Sequence, residues 1–300
     1  MNRKDFGKLL AALRKSEHDE YFHQLTQRQL ANLTGISEQA LGNIERGDKV
    51  SLEPELLLSL ARALRLSTRE RREFFLAAIG VNEEDMPATQ PAASQRMDEL
   101  FDSLSQIALP AFIVDSYDDI VAANQIVLNL FEFSENLREI APNIIGGYNL
   151  LRFVFSERSQ FNKILGKGHE KYLMQSIRFF RAISLQYRAS PYYEYLLSAF
   201  RKDRDMALFR RYYTREDSES EQDDYYFESE RFTLEHADFG NLDFYSPSVS
   251  PISTGQGNLY LIIHVPASAL TVQACALLAQ KHSPGALRLA PWPEKEMPGE

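Results

Sequence analysis

The sequence predicts two domains of different class, an all-α domain of five helices over residues 1–80 and an α+β domain over residues 97–282. Three observations support this prediction. Apolar side chains recur at helical spacing in five segments of the first eighty residues. Residues 81–96, VNEEDMPATQPAASQR, have the composition of a linker. Beyond Pro110, apolar runs of strand length alternate with helical segments, which is typical of an α+β domain.

The helices of the first domain are delimited by ordinary start and stop residues. The first helix has apolar residues at helical spacing: Phe6, Leu9, Leu10 and Leu13. Thr26 stands where the second helix needs an N-cap, and Gly47 stands where the third must end. Pro54 begins a fourth helix, and a fifth is predicted from about residue 68 to residue 79.

Residues 27–46, QRQLANLTGISEQALGNIER, predict two short helices joined by a tight turn. Gly35 lies at the reversal, where a residue without Cβ adopts positive φ at little cost. Ser37 occupies the N-cap position of the second helix. Apolar residues point inward on both helices: Leu30, Ala31, Leu41 and Ile44. This is the helix-turn-helix pattern, which places its second helix in the major groove of DNA.

The outward face of that second helix supplies the predicted DNA contacts. Gln39 and Asn43 lie one turn apart, and both side chains can pair with adenine through two hydrogen bonds. Gln27 begins the preceding helix, where its side chain and backbone N–H can meet a phosphate. For Arg46 and Lys49, a phosphate contact and a merely solvated surface position remain equal alternatives. The full predicted set is Gln27, Ser37, Glu38, Gln39, Ala40, Asn43, Arg46 and Lys49.

The second domain begins with two strands around the turn at residues 116–119. Strands are predicted over 111–115, 120–123, 225–236, 239–249 and 258–266. Helices are predicted over 124–131, 170–188, 192–200, 206–212 and 268–280. Gly240-Asn241 lies between two strand-like runs and predicts a hairpin turn. The proline-rich tail, residues 283–300, is expected to be flexible.

Charge is divided unevenly between the two domains. The formal net charge is −9, but residues 1–80 carry 13 basic and 11 acidic side chains. Such a weakly basic head predicts modest affinity for DNA, which favours a homodimer on paired half-sites. Residues 216–230 carry eight acidic side chains and no basic ones, and no role follows from this pattern.

Several classes of protein are disfavoured by what the sequence lacks. No apolar run approaches the ~20 residues that span a bilayer, and a single cysteine, Cys275, suits a reducing cytoplasm. The six histidines show no metal-ligand spacing, and no phosphate loop or nucleophile elbow occurs. The sequence therefore predicts a cytoplasmic protein that is not an enzyme and holds neither cofactor nor metal.

Two known families share these patterns. Residues 6–79 resemble the Cro/cI-type (XRE) helix-turn-helix domain of phage repressors and bacterial regulators, which is a lambda-repressor-like five-helix fold. Residues 109–280 look like the MmyB-type ligand-binding domain that follows such a head in one group of bacterial transcription factors. The pieces that carry the second resemblance are ALPAFIVDSYDDIVAAN, NLLRFVF and FTLEHADFGNLDFYSPSVSP. The loop before Thr26, HDEYFHQ, departs from the arginine-rich loop usual in the family.

The second resemblance implies a PAS-like fold, with an antiparallel sheet and helices around a cavity, and a small apolar ligand with fatty acid as the leading candidate. Arg152 stands within an apolar run and needs an anion if it is buried, either a ligand carboxylate or a protein acid. Each aromatic or polar candidate is, taken singly, more often a core or backbone-satisfying residue. The predicted ligand set is Phe112, Val114, Asn124, Tyr148, Asn149, Arg152, Phe153, Phe179, Tyr187 and His236.

Two alternatives to a ligand sensor stay open. In one, the second domain binds no small molecule and serves only for dimerisation or for docking a protein partner. In the other, it is a haem-binding PAS sensor that uses His236 or His169 and shows a Soret band.

Overall fold

The computed structural model describes residues 1–17, 24–48, 52–79, 93–131, 141–165, 169–219, 231–245, 247–254, 257–281 and 285–295. These residues fall into two compact units. The described parts of Met1–Ala88 and Asp217–Gln222 form the first unit together with Arg181–Glu194. Most of the remaining described residues form the second unit.

The first unit contains the five helices that the sequence predicted. They are α1 (Arg3–Ser16), α2 (Gln27–Thr34), α3 (Glu38–Arg46), α4 (Pro54–Ala63) and α5 (Thr68–Ile79). Thr26 and Gln29 form a reciprocal capping box at the start of α2, and the Ser37 hydroxyl accepts from the Ala40 N–H at the start of α3. Gly35 and Gly47 end α2 and α3 with φ of 71° and 78°, a backbone conformation that glycine adopts without strain.

The core of the first unit is built by the inward faces of these helices. Phe6 of α1 packs on Phe74 of α5 with the ring centroids 5.2 Å apart, and all four inward residues of the helix-turn-helix are buried. Leu185 is fully buried in the same cluster, although it comes from the middle of the C-terminal sequence. The short 3-10 turn Leu185–Tyr187 therefore completes the core of the first unit.

A buried ion cluster accompanies Leu185. The Glu70 carboxylate of α5 pairs with Arg181 at 3.0 Å and also with Arg188, and all three side chains are almost fully buried. Burial alone would raise the pKa of Glu70, but the charges of Arg181 and Arg188 lower it to about 2. The sequence-based boundaries placed residues 181–194 in the second domain, whereas their contacts place them in the first unit.

The second unit combines helices with two antiparallel sheets. Its helices are α6 (Ala93–Gln106), α7 (Gln125–Leu130), α8 (Leu150–Phe155), α9 (Gln160–Ile164), α10 (His169–Ile183), α11 (Pro191–Lys202), α12 (Ala207–Glu219) and α13 (Ala269–Lys281), although parts of α10 and α11 lie in the first unit. Its strands are β1 (Ala111–Asp115), β2 (Ile120–Asn124), β3 (Arg231–His236), β4 (Gly240–Tyr245), β5 (Ser248–Thr254), β6 (Gly257–Ile263) and β7 (Ala286–Arg288). This confirms an α+β domain after an all-α domain.

The larger sheet has the strand order β5-β6-β1-β2-β7, and β3 pairs with β4 in a separate hairpin. Ala111 and Ile113 of β1 pack with Met97 and Leu104 of α6 in one apolar cluster. Because successive residues of a strand point to opposite faces, Phe112 lies on the other face of the sheet. Phe112 is paired with Ile262 of β6, so both side chains share that face.

Two details of the second unit differ from the sequence-based expectation. Gly240, with φ of 69°, pairs with His236 and begins β4, so the hairpin loop is residues 237–239 rather than Gly240-Asn241. Residues 286–295, expected to be part of a flexible tail, include β7 and end at Lys295, whose ammonium lies between the buried carboxylates of Asp115 and Asp119. The two charges hold this segment in place.

Candidate functional site

The recognition helix α3 presents a polar face outward because its apolar face is fixed in the core. Leu41 and Ile44 are buried, whereas Glu38 and Gln39 are exposed and Asn43 is half-buried. Gly7 of α1 allows α1 to approach α3 closely, since a Cβ at this position would lie 2.3 Å from the Glu45 carbonyl oxygen. The packing of α1 against α3 therefore sets how the outward face is presented.

A buried polar network ties α3 to its neighbours, and sequence reasoning missed it. Glu45 accepts from Arg14 Nε at 2.7 Å and from Gln27 Nε2 at 2.7 Å. Arg14 also donates to the Leu25 carbonyl at 2.8 Å. Each member of the network has its partners, as buried polar groups require. The network therefore joins α1, α2 and α3 through one carboxylate.

Some of the predicted DNA-contacting side chains are hydrogen-bonded within the protein, and others are exposed. The Gln27 amide is held by Glu45, which leaves its backbone N–H at the start of α2 for a phosphate. Asn43 accepts from Arg46, and Arg46 also pairs with Asp48 at 2.9 Å on the surface. Ser37 serves as the N-cap, Ala40 is half-buried, and Lys49 lies outside the described residues. Glu38 and Gln39 are the two exposed residues of the first turn of α3.

An aromatic cluster fills the interior of the second unit, and its centre is a histidine. The His264 ring lies 5.7 Å from Phe112, 5.3 Å from Phe131, 5.7 Å from Phe232 and 6.1 Å from Phe244 between ring centroids. These four phenylalanines come from β1, the end of α7, β3 and β4, and His264 follows β6. We call these five residues the His264 cage. It brings both sheets of the unit to one point.

The histidine of this cage is unusual because neither of its ring nitrogens lies in hydrogen-bond geometry with a described residue. His264 is 0% exposed, and neither ring nitrogen has a hydrogen-bond partner among the described residues. Burial lowers the pKa of His264 to about 3, although the Pro110 carbonyl favours the protonated form. The imidazole is therefore neutral, with one N–H donor and one nitrogen acceptor.

The cage continues into a second group of buried aromatic and polar residues. Phe161 packs edge-on against Phe131 at 4.4 Å, and Tyr172 lies 5.0 Å from Phe232. Asp118, near Tyr172, is fully buried, and neither of its carboxylate oxygens has a hydrogen-bond partner in the described structure. Burial raises the pKa of Asp118 well above its usual value, and the charges of Asp119 and Asp115 add to the rise.

Among the predicted ligand residues, Phe112 belongs to the cage, whereas Asn124 and Asn149 have structural roles. The Asn124 amide oxygen caps α7 by accepting from the Val127 N–H, and its nitrogen donates to the Leu109 carbonyl at 2.7 Å. Asn149 caps α8 and donates to the Asp119 carboxylate at 2.9 Å.

Arg152 has a protein anion as its partner. It pairs with Asp203 at 2.8 Å and donates to the carbonyls of Ile145 and Gly146. This pairing supplies the anion that the sequence had left open between a ligand carboxylate and a protein acid. The ligand-carboxylate alternative for Arg152 therefore gains no support from the geometry.

The other predicted residues lie apart from the cage or on its margins. Val114 is buried in β1, Phe179 packs edge-on against Tyr260 at 5.8 Å, and Tyr148 and Phe153 are half-buried. Tyr187 lies in the first unit. The His236 Nδ1 accepts from the Asp238 N–H at 3.1 Å, and its Nε2 is buried with no hydrogen-bond partner in the described part of the chain. The His169 side chain lies outside the described residues.

A small cavity lies elsewhere in the second unit. It measures about 130 Å³ and is lined by residues of the α6–β1 loop, the β2–α7 junction and α13, among them Asn124, Ile126 and Leu278. Its volume is below the 300–1,000 Å³ of a typical pocket for a drug-sized ligand. Only a very small molecule fits it.

Two other kinds of feature are absent from the described ranges. No cluster of three or more histidine, cysteine, aspartate or glutamate side chains there is arranged to hold a metal ion. None of the helices in the described chain has the length and apolar character needed to cross a membrane.

The helix-turn-helix of the first unit, with its exposed polar face on α3, is that of a DNA-binding regulator, and an α+β unit follows it. Comparison with known families agrees with this class. Residues 5–74 match the helix-turn-helix domain family, and residues 93–278 match the MmyB-like transcription regulator ligand binding domain. The second match covers well over half of the chain, so this protein belongs to the MmyB-like transcription regulator family. None of the curated proteins is significantly similar to it.

Proposed function

We propose that this regulator reads operator DNA as a cytoplasmic homodimer and that a small apolar ligand, with a fatty acid as the leading candidate, modulates this reading. The observation that carries the DNA half is the split of α3 into a buried apolar face and an exposed polar face bearing Gln39. Ligand acts by binding two dimer geometries with different affinity, because equal affinity would shift neither population.

The base-reading role of Gln39 is tested by substitution. Gln39→Ala removes an amide that can make two hydrogen bonds to adenine, a loss of about 1–3 kcal/mol or roughly 5- to 150-fold in affinity. Asn32→Ala, at an exposed position of α2 outside the predicted set, is the matched control. Operator titrations at one fixed salt concentration measure both variants. Unchanged affinity and unchanged sequence preference in Gln39→Ala would overturn the base-reading assignment.

Two features support a homodimer. The DNA-binding domain has little net positive charge, so one copy alone should bind DNA weakly. A dimer raises the affinity, because its two recognition helices bind two half-sites about 34 Å apart. Helix α13 carries no charged side chain from residue 269 to residue 280, yet exposes Leu270, Val272 and Leu277. In a protein with net charge −9, an uncharged apolar face is where a second copy meets least repulsion.

This face gives the dimer a direct test. Leu277→Glu places a carboxylate on it and is expected to shift sedimentation from dimer to monomer, whereas the charge-matched Gln280→Glu at the exposed end of α13 is expected to have less effect. A monomeric wild type would contradict the proposal, as would a Leu277→Glu variant that remains dimeric.

The ligand-binding part of this proposal rests on the family match and on the aromatic interior around the His264 cage. It implies a PAS-like arrangement, in which the sheet lies against the bound ligand. Native mass spectrometry of gently purified protein tests it. An adduct of lipid mass supports a sensor. Repeated absence of any adduct favours the alternative, in which the second domain only dimerises or docks a protein.

A further inference from the structure

The His264 cage has a buried polar group that no described residue satisfies. Leaving a buried donor and acceptor unpaired is costly, and native proteins avoid it except where the group has another purpose. A phenylalanine at this position would match the four surrounding rings. The histidine instead offers hydrogen bonds in the middle of an apolar interior.

The four rings of the cage differ in how firmly they are held. Phe112, Phe232 and Phe244 are buried in strands, whereas Phe131 is half-buried at the end of α7. Rotation of the Phe131 side chain alone would vacate a space of one phenyl ring beside His264. An apolar space of about 150 Å³ holds a benzene-sized group, so this rotation admits the polar end and the first few carbons of a longer apolar molecule, whose remaining chain stays outside the cage.

The charge of the cage selects the kind of polar group that can enter. The four rings around His264 carry no formal charge, and a neutral imidazole cannot neutralise a carboxylate. Arg152, the cation expected to meet a ligand carboxylate, is already paired with Asp203. An anion placed here would be desolvated without compensation.

We infer that His264 is the polar contact of the ligand site, and that the ligand binds there with an uncharged hydroxyl, carboxamide or protonated carboxyl group attached to an apolar body. The inference rests on the proposed ligand-binding function and narrows its ligand class. A fatty acid meets this requirement only in its protonated form, whereas a fatty alcohol or amide meets it at any pH near neutrality.

Two probes of equal chain length, decan-1-ol and decanoate, test the inference on the full-length protein at pH 8. Titration by calorimetry and by the ¹⁵N resonances of the histidine rings gives affinity and location together. We expect decan-1-ol to bind at least tenfold more tightly than decanoate and to shift the ring resonances of His264, which are identified by their loss in His264→Phe.

Two substitutions separate hydrogen bonding from packing. His264→Phe keeps an aromatic ring without hydrogen-bonding groups and is expected to weaken decan-1-ol binding at least tenfold. His264→Gln retains a donor and an acceptor and is expected to restore binding to within about threefold of the wild type. Circular dichroism confirms that both variants are folded.

The outcomes distinguish this inference from the function on which it rests. Wild-type affinity for decan-1-ol in His264→Phe would overturn the His264 contact while leaving an apolar-ligand sensor intact. Tighter binding of decanoate than of decan-1-ol would overturn the uncharged class. Failure of both probes to bind the wild type would overturn the proposed apolar ligand itself, and the His264 contact with it.

Discussion

Replacing His264 by phenylalanine should make the second unit more stable and less sensitive to acid. At pH 8 the substitution removes an unpaired buried polar ring and places a phenyl group among four others. Relief of such an unsatisfied group is worth about 1–3 kcal/mol in the free energy of unfolding. The same variant is expected to lose ligand affinity, so it should be more stable than the wild type but bind the ligand less tightly.

The acid response follows from the pKa of His264, about 3 in the folded protein against an ordinary value of 6.5. Below pH 6.5 the unfolded chain binds a proton that the folded chain does not, so acid favours unfolding until the pH reaches about 3. Each pH unit in this window costs about 1.4 kcal/mol, which gives about 2 kcal/mol by pH 5. His264→Phe should not show this part of the loss.

Urea unfolding followed by tryptophan fluorescence measures the free energy of unfolding of wild type and variant at pH 8 and pH 5. Trp292 is the single tryptophan and packs in the apolar cluster beside α6 and β1, so it reports on the second unit. His264→Gln is the control, because it removes the titrating group but keeps a buried polar side chain and should gain no stability at pH 8. If wild type and His264→Phe lose the same stability between pH 8 and pH 5, the burial argument for His264 is refuted.

Four further substitutions test the packing of charged and small residues. Glu70→Gln should destabilise the first unit by about 3 kcal/mol at pH 7, because two buried arginines lose their anion. This difference should become much smaller as the pH falls from 4.5 towards 2, because the unfolded wild type then binds a proton that the folded protein does not. Urea unfolding followed by circular dichroism at pH 7 and pH 2.5 checks both expectations. Gly7→Ala should lower the melting temperature and weaken DNA binding, since the new Cβ would lie 2.3 Å from a backbone oxygen. Gly42→Ala should instead stabilise α3 by up to about 1 kcal/mol, because its Cβ would meet only the end of the Arg46 side chain, at 3.2 Å. Lys295→Met should destabilise the second unit by about 3 kcal/mol, because two buried carboxylates lose their cation, and an unchanged urea midpoint would contradict this.

Local patterns in the sequence were sufficient for the elements and for the helix-turn-helix. Helical spacing and caps such as Ser37 act within a few residues, so the five helices of the first unit follow from the sequence alone. The strand AFIVD likewise matches β1, because a short apolar run bounded by turn residues needs no distant information.

Partnerships across the chain were not predictable in this way. Glu70 meets Arg188 from 118 positions away, and Lys295 meets Asp119 from 176 positions away. A charged residue in a sequence gives no sign of which opposite charge it will meet, and such surface-like residues are usually solvated. Gln27 shows the same limit, since its position fitted a phosphate contact while its amide is held by Glu45.

One signal for the proposed His264 contact was present in the sequence, but a stronger signal at Arg152 was preferred. His264 interrupts the apolar run LYLIIHV, just as Arg152 interrupts LLRFVF. Arg152 was predicted to contact the ligand because an arginine is always charged and needs an anion if it is buried. A histidine can be neutral and needs no anion, yet among the described residues it is His264, and not Arg152, that has no partner.

The place of residues 181–194 in the first unit bears on how proteins of this architecture can exchange parts. A recombination event at the linker of residues 81–96 would carry away α1 to α5 but leave behind Leu185 and both arginines that neutralise Glu70. The transferred head would keep a buried carboxylate without a counter-charge and a gap in its core. The DNA-binding unit and residues 181–194 should therefore be inherited together, although they are encoded in two separate parts of the gene.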